Sequence, residues 1–437
     1  MKGFLAEAGW VLAGQAGLAL GTVVGVRILT QFLAPDAYGV VSLSTGLSLL
    51  TISLVATPLT QAAIHFYPAI AANGTARELM QSLLRCLRQT APWVVLGALA
   101  AGSAYVVWGH GSVVLVVLLT LLLASDCWRT ANLSLLNAAR RQRTYALWTA
   151  ADAWSRPLAA SVVVLLVGQS PMAVIGAYVL VSAVLVVVFS RGLWPESPRS
   201  AAVTHDARRA RDLDAKMWSY AVPLLPLGII AWASNLGDRY VIGGVLGIAD
   251  AGLYAAVYGL SSMPFTIVTG AAEQALRPIY QSAVTHGERL QARRVLLLWL
   301  AIIIGVCTAG VLLFTFGHAL IASYLVGKSY RHASGLMPLI ATGYAIRAVS
   351  YVFERVCYAY GQTRRVLYIQ LWAVAATAVA TPLGILNFGL QGAATAVPIY
   401  FTIQLAVAIF LARRTLSEAS AEPVSVGDVP LMLQRRA

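Results

Sequence analysis

Six arginines lie inside segments that otherwise have the composition of membrane spans. They are Arg27, Arg129, Arg156, Arg239, Arg347 and Arg355. A charged side chain at the centre of a bilayer costs about 2.5–3.5 kcal/mol even on the lenient insertion scale. A chain that keeps six such charges is expected to use several of them, in a polar cavity within the membrane that holds an anionic occupant.

Two of these arginines have an acidic residue on the same helix face. Asp126 precedes Arg129 by three residues, and Asp152 precedes Arg156 by four. Side chains at these spacings are neighbours on a helix surface. Each pair therefore has two interpretations: the charges neutralise each other within a helix, or the arginine lines the cavity.

Two further acidic residues stand directly beside an arginine, in the pairs Asp238–Arg239 and Glu354–Arg355. Adjacent residues of a helix point to different faces, so we expect weaker pairing here. Arg239 lies at a depth in the seventh predicted span similar to that of Arg27 in the first.

Arg27 and Arg347 have no acidic residue within about one helical turn of 3.6 residues. Snorkelling to the outer headgroups is one explanation for Arg27, whereas Arg347, between Tyr344 and Tyr351, lies too deep. We predict these two residues and Arg239 as the main cavity-lining cations. The predicted substrate-binding set is completed by Arg129, Arg156, Gln31 and Asn235.

The composition is that of an integral membrane protein. The chain has 437 residues, of which 59% are hydrophobic and 11% are charged, against about 25% charged residues in soluble domains. The four cysteines are far apart and predict neither a disulfide nor a metal site, only apolar packing. No catalytic constellation and no P-loop occurs, so we expect no enzyme activity, no metal and no cofactor.

Continuous apolar runs predict an all-α fold with about twelve transmembrane helices. The first run is taken as a retained span, since it is too long for a signal peptide. The predicted spans are 8–33, 38–66, 91–108, 113–137, 145–167, 171–190, 217–245, 252–274, 295–316, 335–359, 366–386 and 391–412.

The distribution of basic residues orients these spans. With a cytoplasmic N-terminus, 23 of the 31 lysines and arginines fall in cytoplasmic segments and two in external loops, besides the six within spans. Excess positive charge marks the cytoplasmic side. The net charge of +14 therefore indicates a topology with both termini in the cytoplasm, and no nucleic-acid partner.

An internal repeat divides the chain. At an offset of 213 residues, ten identities occur in 42 ungapped positions, where about four are expected by chance. We predict two six-helix bundles related by a pseudo-two-fold axis along the membrane normal, with the substrate site between them. The predicted parts are a first bundle over 1–195, a cytoplasmic linker over 196–216, a second bundle over 217–415 and a disordered tail over 416–437.

Smaller features predict local structure. Glycines every four residues, at Gly17, Gly21 and Gly25, favour close helix packing, with a bendable gating helix as the alternative. A kink is expected in the seventh span at its two prolines. Residues 74–90 and 277–294 have the pattern of basic amphipathic helices on the inner leaflet.

The span pattern, the stretch RILTQFLAPDAYGVVSL from Arg27 to Leu43 and the stretch DRYVIGGVLGIADAGLYAAVY from Asp238 to Tyr258 resemble a known family. It is the Wzx-type polysaccharide flippases of the multidrug/oligosaccharidyl-lipid/polysaccharide (MOP) exporter superfamily. The resemblance extends over nearly the whole chain to about residue 415.

The resemblance implies a function. Such proteins move an oligosaccharide linked to undecaprenyl diphosphate across the bacterial inner membrane for assembly of lipopolysaccharide O-antigen, capsule or exopolysaccharide. It implies as partners the lipid-linked oligosaccharide, membrane lipids, a polysaccharide polymerase and a chain-length regulator. Arg27 matches a cationic position of the family's first span, spans 1 and 7 would line the cavity, and span 8 would help form a lateral portal. Ion-coupling candidates are Asp126, Asp152, Asp238 and Glu273.

Three rival interpretations stay open. A multidrug or metabolite antiporter of the same superfamily would carry unpaired carboxylates and few intramembrane arginines. A lipid II flippase usually has two additional spans. A non-transporting scaffold would explain neither the repeat nor the buried charges.

Overall fold

A computed structural model describes residues 2–72, 76–107, 112–139, 141–190 and 207–421. These residues are almost entirely helical, and none of them lies in a β-strand. The helices are α1 (Lys2–Phe32), α2 (Pro35–Thr51), α3 (Thr57–Ala72), α4 (Ala76–Gln89), α5 (Ala91–Val107), α6 (Val113–Ala138), α7 (Gln142–Val167), α8 (Pro171–Ser190), α9 (Ala207–Ala221), α10 (Leu225–Val245), α11 (Ile248–Thr285), α12 (Arg289–Leu325), α13 (Met337–Ala359) and α14 (Thr363–Ala421).

The helices account for all twelve predicted spans. Ten helical segments of the described chain are long and apolar enough to cross a membrane. An eleventh, α5, has 17 residues. The last two predicted spans are joined in α14, which is interrupted at Gly389, where φ is +58°. Only glycine adopts this left-handed conformation readily, so Gly389 separates two spans within one run of helical residues.

Local sequence explains where several helices begin. Pro35 opens α2 after the extended residue Ala34, and proline is favoured at the first helical position. Ser112 caps α6 by accepting a hydrogen bond from the backbone N–H of Leu115 at 3.1 Å. The kink predicted in the seventh span is confirmed: a 3₁₀ turn at Val222–Leu224 separates α9 from α10.

The helices group into two compact units. Unit 1 contains Met1–Leu260 and Ala319–Gly335, and unit 2 contains Ser261–His318 and Leu336–Ala437. The boundary by packing therefore falls within α11 and α12. The division into bundles at residues 196–216 stays a prediction.

In unit 1, α1 packs closely along α7. A Cβ added at Gly17 would lie 3.0 Å from the Cβ of Ala150, and one at Gly21 would lie 2.9 Å from the Cβ of Ala153. A Cβ added at Gly25 would lie 3.2 Å from the Cγ of Pro157. The prediction of close packing through small residues is thus confirmed.

Two glycines related by the 213-residue repeat allow α2 and α11 to meet, and we call this contact the glycine junction. A Cβ on Gly39 would lie 2.1 Å from the carbonyl oxygen of Ile248, and one on Gly252 would lie 2.0 Å from that of Pro35. Pro35 and Ile248 are themselves related by the repeat offset. Reciprocal contacts between the same two positions are what a two-fold axis produces, so the repeat predicted from the sequence is expressed in packing.

On the side predicted to be cytoplasmic, α4 is the expected amphipathic helix. Leu79, Leu83 and Cys86 are completely buried in an apolar cluster with α3 and α9. Arg85 lies beside this cluster and forms two hydrogen bonds with the carboxylate of Asp214, both of 2.9 Å. This carboxylate raises the pKa of Arg85, and burial raises the pKa of the Cys86 thiol to about 11.

Unit 2 is built around α13 and α14. Gly343 lies against Val397, whose side chain a Cβ at this glycine would meet at 2.5 Å. Gly384 and Gly392 approach each other on either side of Gly389, which closes the turn within α14. Phe265 of α11 packs against Phe314 of α12, with ring centres 6.2 Å apart.

Several predictions about segments between spans need correction. Residues 277–294 do not form one amphipathic helix: α11 continues to Thr285, a turn at Gly287 follows, and α12 begins at Arg289. The last ten residues of the predicted linker belong to helix α9, whereas 196–206 lie outside the described residues. Similarly, 416–421 continue α14, and the rest of the tail lies outside the described residues. The four cysteines are unpaired and buried, as predicted.

Candidate substrate-binding site

The first set of predicted site residues is a closed network in unit 1, which we call the charge cluster. It consists of Asp126 and Arg129 on α6 and Asp152 and Arg156 on α7. Arg129 lies 3.4 Å from Asp126 and 3.3 Å from Asp152. Arg156 lies 3.0 Å from Asp152 and also contacts Asp126. Pairing within each helix is confirmed, and each arginine also contacts the acid of the other helix.

Neighbouring side chains complete the charge cluster. The hydroxyl of Ser48 donates to Asp126 at 2.5 Å, and Arg156 donates to the hydroxyl of Ser182 at 2.6 Å. Asp126 is 3% exposed. Two positive and two negative charges give this buried cluster no net charge, so it holds α6 and α7 together and offers an anion little attraction.

Arg27 lies at a helix end. Its guanidinium donates to the backbone carbonyl of Val326 at 2.7 Å, directly after the last residue of α12. A cation here complements the partial negative charge of a helix C-terminus. Close by, the backbone N–H of Gly327 donates to the hydroxyl of Thr30 at 3.0 Å, and Tyr330 donates to the carbonyl of Leu33 at 3.0 Å. Arg27 thus joins α1 to the segment after α12 within unit 1.

The side chains of Asp238 and Arg239 contact different partners, as expected for adjacent residues of a helix. Asp238 is buried and accepts a hydrogen bond from the hydroxyl of Tyr254 at 2.9 Å. The guanidinium of Arg239 lies over the ring of Tyr258, 5.2 Å from its centre. The buried Nε of Arg239 has no hydrogen-bond partner among the described residues. Arg239 thus lies at the α10–α11 contact with its Nε enclosed.

The two predicted amides have modest roles. Gln31 is exposed on α1. The side chain of Asn235 donates to the carbonyl of Ala231 at 2.6 Å, one turn earlier on α10. Neither the exposure of Gln31 nor the hydrogen bond from Asn235 to Ala231 indicates a ligand site.

The most ordered arrangement of cations lies on α13, and we call it the α13 ladder. Its members are spaced three or four residues apart on one helix face: Tyr344, Arg347, Tyr351, Arg355 and Tyr358. Each arginine lies between two tyrosines. Arg347 is 5.4 Å from the ring centres of both Tyr344 and Tyr351, and Arg355 is 5.7 Å and 5.1 Å from Tyr351 and Tyr358. The alternation extends over about 21 Å of helix at 1.5 Å per residue.

The surroundings of the two ladder arginines differ. Phe401 of α14 adds a third ring to Arg347, at 5.1 Å, and Tyr351 accepts a hydrogen bond from Arg347 at 3.0 Å. Arg355 instead forms an ion pair with Glu273, with N–O distances of 2.9 Å and 3.1 Å. Glu273 also contacts Arg277 at 3.1 Å. Arg347 is thus held by aromatic rings, and Arg355 is held between rings and a carboxylate.

Glu354 points away from the ladder and is 1% exposed. Its carboxylate accepts hydrogen bonds from the side-chain amides of Gln370, at 3.1 Å and 3.2 Å, and Gln404, at 2.9 Å. Glu354 was not predicted as an ion-coupling candidate. Its two glutamine partners lie on α14, 16 and 50 residues away in sequence, so this site becomes visible only in the folded protein.

The α13 ladder brings cations and aromatic faces together on one side of a helix. Aromatic rings offer flat apolar faces, and tyrosine hydroxyls donate and accept hydrogen bonds. Arginine can stack on a ring by its face while its N–H edge binds phosphate oxygens. Sequence reasoning identified Arg347 with Tyr344 and Tyr351, but it missed the continuation through Tyr358 and the contribution of Phe401.

The fold resembles that of membrane transporters of known structure. An inward-facing multidrug resistance MATE family transporter of the MOP superfamily matches with a TM-score of 0.70 and 14% identity, covering 94% of this chain and 99% of that one. The lipid II flippase MurJ in an inward closed conformation matches at 0.69 and 12%, covering 94% and 90%. A Vibrio cholerae MATE transporter matches at 0.56 and 12%, covering 95% and 97%. At these identities the matches show a shared fold.

The family is defined by sequence. The family described as polysaccharide biosynthesis protein matches residues 28–335, more than half of the chain, and the chain belongs to it. No curated protein matches the chain significantly. The family match confirms the predicted relation to polysaccharide biosynthesis proteins, and the structural matches show that the fold is shared with transporters of the MOP superfamily.

Proposed function

We propose that this protein moves an anionic lipid-linked oligosaccharide from the inner to the outer leaflet of the bacterial inner membrane. The carrier is undecaprenyl diphosphate, and the glycan serves O-antigen, capsule or exopolysaccharide assembly. Membership of a polysaccharide biosynthesis family supports a glycan substrate, and the MATE- and MurJ-like fold supports transport across a membrane.

The α13 ladder is the observation that carries this proposal. A diphosphate and any acidic sugars need cationic partners once they leave water. Arg347 supplies such a cation among Tyr344, Tyr351 and Phe401. The rings give sugar faces a surface to pack on, so one helix face serves both parts of the headgroup. Arg239, with its buried donor group, is proposed as a second contact, in line with the sequence prediction.

The proposed cycle is alternating access by two six-helix halves, with both termini in the cytoplasm. The 23 to 2 distribution of basic residues supports this orientation. The glycine junction lies on the external side in this topology and would have to open for outward release. A polysaccharide polymerase and a chain-length regulator are the proposed partners that use the flipped glycan.

The proposal is tested by reconstitution into proteoliposomes with a fluorescent undecaprenyl-diphosphate oligosaccharide. Transport is measured as loss of fluorophore protection from a membrane-impermeant quencher, for the wild type, Arg347→Ala and a control, Arg294→Ala, whose side chain is exposed near the start of α12. We expect transport by the wild type and the control and a loss in Arg347→Ala. Equal transport by all three, or none by any, would reject the proposal. Lipid II in a parallel assay separates the two flippase classes.

A second candidate is ion-coupled antiport of a cationic metabolite, favoured by the buried carboxyl of Glu354. Buried acidic residues in membrane helices often mark ion pathways. In this case, an imposed proton or sodium gradient would drive uptake of a cationic dye by the wild type and not by Glu354→Gln. The glycan flippase would transport the lipid-linked glycan and leave the dye untouched.

A further inference from the structure

An apolar cavity of about 270 Å³ lies in unit 1, and none of the four charge-cluster residues lines it. It is bounded by the end of α4, the beginning of α5 and the middle of α6, where Leu84, Val94, Ala124 and Trp128 line it. Arg88 is the one charged residue in its wall. We call it the α4–α6 cavity.

The cavity wall has almost no capacity to bind a polar ligand. Its two threonines satisfy their hydroxyls within their own helices. Thr90 donates to the carbonyl of Leu87 at 2.6 Å, and Thr120 donates to that of Val116 at 2.9 Å. A buried polar ligand would leave hydrogen bonds unmade here, at a cost of about 1–3 kcal/mol for each group. The wall therefore fits a hydrocarbon chain.

Exposed apolar residues adjoin the cavity wall: Val95 of α5, which lines the cavity, is 43% exposed. Trp93 and Leu96 of α5 are 69% and 55% exposed, and Leu121 of α6 is 48% exposed. Arg88 is exposed at the end of α4, the basic amphipathic helix that the topology places at the inner leaflet. A chain that entered from the lipid would thus have a cation close to its polar end.

A local irregularity contributes to the cavity. The helix between α2 and α3 forms a π turn over Ile52–Ala56, and Val55 of this turn lines the cavity. π turns are rare and often occur at functional sites. A Cβ on Gly228 of α10 would lie 2.5 Å from the carbonyl oxygen of Ser53, so the opposite side of the turn is tightly packed.

We propose that the α4–α6 cavity binds the isoprenoid chain of the lipid-linked substrate next to its diphosphate, with Arg88 contacting a phosphate. The inference rests on the proposed function. One cavity with one cation at its edge fits a carrier with one chain and one phosphorylated end. A phospholipid presents two acyl chains at each headgroup, so bulk lipid is the less complementary occupant.

The test is photolabelling of the purified full-length protein in nanodiscs by a polyprenyl monophosphate that carries a diazirine near the phosphate. Ala124→Trp, which fills the cavity from α6, and Val95→Trp, from α5, are compared with Val187→Trp on the exposed face of α8. We expect both cavity variants to lower labelling about tenfold and the α8 variant to leave it unchanged. Arg88→Gln is expected to lower labelling about threefold, against no change in Arg294→Gln.

The outcomes separate the two proposals. Unchanged labelling in both cavity variants, or equal competition by phosphatidylglycerol and polyprenyl phosphate, overturns the inference. Loss of labelling only in the cavity variants, with competition by polyprenyl phosphate alone, supports it. Glycan transport by the wild type is measured in the same preparation. Specific labelling without transport rejects the proposed flippase function and keeps the isoprenoid site.

Discussion

The charge cluster and the α13 ladder hold arginines within the membrane in different ways. In the cluster, Arg129 and Arg156 each contact Asp126 and Asp152 across two helices. In the ladder, the guanidinium of Arg347 lies against three aromatic rings. Both cluster arginines thus contact two carboxylates each, whereas Arg347 lies among rings; Arg355, the second ladder arginine, combines two rings with the carboxylate of Glu273.

This difference indicates a division between assembly and binding. A carboxylate occupies the N–H edge of a guanidinium and neutralises it, whereas a ring covers its face. The N–H groups of Arg347 donate to the hydroxyls of Tyr344 and Tyr351. A hydrogen bond to a hydroxyl is weaker than one to a carboxylate, so an anion can replace it at lower cost. Removing one member of a buried ion pair is costly because the other charge stays buried. We therefore expect the cluster to control stability and the ladder to control transport.

The largest expected effect is on stability, from Asp126→Ala. Arg129 and Arg156 would lose a shared carboxylate in a buried site, at a cost of about 3–5 kcal/mol. Thermal unfolding of the detergent-solubilised protein measures this loss. Adding Arg156→Ala should restore part of it, and Glu288→Ala, which removes an exposed acid, should change little. If Asp126→Ala unfolds at the same temperature as the wild type, the charge cluster does not stabilise the protein.

Arg347→Ala is expected to reduce transport about thirtyfold, equivalent to about 2 kcal/mol for the loss of a hydrogen bond between a charged group and the substrate phosphate. Unfolding temperature should stay close to that of the wild type, because Arg347 is only partly buried. Arg347→Lys keeps the charge and loses the planar stacking, so its transport rate should be intermediate. Arg347→Ala could instead destabilise the protein while each folded molecule transports at the wild-type rate. That result would mean that Arg347, like the charge cluster, serves stability and not transport.

Substitutions in the glycine junction are expected to have a smaller effect, which should be the same for its two glycines. Gly39→Ala and Gly252→Ala should each cost about 1–3 kcal/mol of the closed contact through overpacking. Hydrogen–deuterium exchange should rise in both variants over the same two segments, 35–43 and 248–256. Gly270→Ala is the control, since no atom lies within 4 Å of its added Cβ. Effects confined to the mutated segment would argue against reciprocal packing.

The smallest effect is expected from Arg85→Ala, on the face predicted to be cytoplasmic. The side chains of Arg85 and Asp214 are 37% and 15% exposed, and such pairs contribute about 0.2–1 kcal/mol. The unfolding temperature should fall slightly. Lys216→Ala removes a more exposed pair, with Asp212, and should give no shift. A large shift from Arg85→Ala would mean that the α4–α9 contact depends on this ion pair more than on its apolar cluster.

Features that depend on local sequence could be predicted. The spans, the helix-face pairs Asp126–Arg129 and Asp152–Arg156, and the glycine packing of α1 all follow from spacing along one helix. The repeat relates Gly39 to Gly252 in sequence, but the contacts that these two glycines allow were found only in the structure.

Contacts between distant segments could not be predicted. The acid partner of Arg355 is Glu273, 82 residues away, and Phe401 reaches Arg347 from another helix. The spacing of residues along one helix does not predict contacts with residues of other helices. The error over 277–294 has a different origin: its charge pattern suits an interfacial helix, but both flanking spans extend past the apolar core and meet at the turn of Gly287.

The central claim is that the α13 ladder contacts the headgroup of the transported lipid. Site-directed photocrosslinking tests it directly, with a photoreactive phenylalanine analogue in place of Tyr351 and, as a control, of Tyr368, which is 56% exposed on α14. The probe is a radiolabelled undecaprenyl-diphosphate oligosaccharide. We predict that position 351 crosslinks to the glycan portion and that Arg347→Ala abolishes this product, with no glycan crosslink at position 368. Absence of a glycan crosslink at position 351, or equal crosslinks at both positions, would contradict the account.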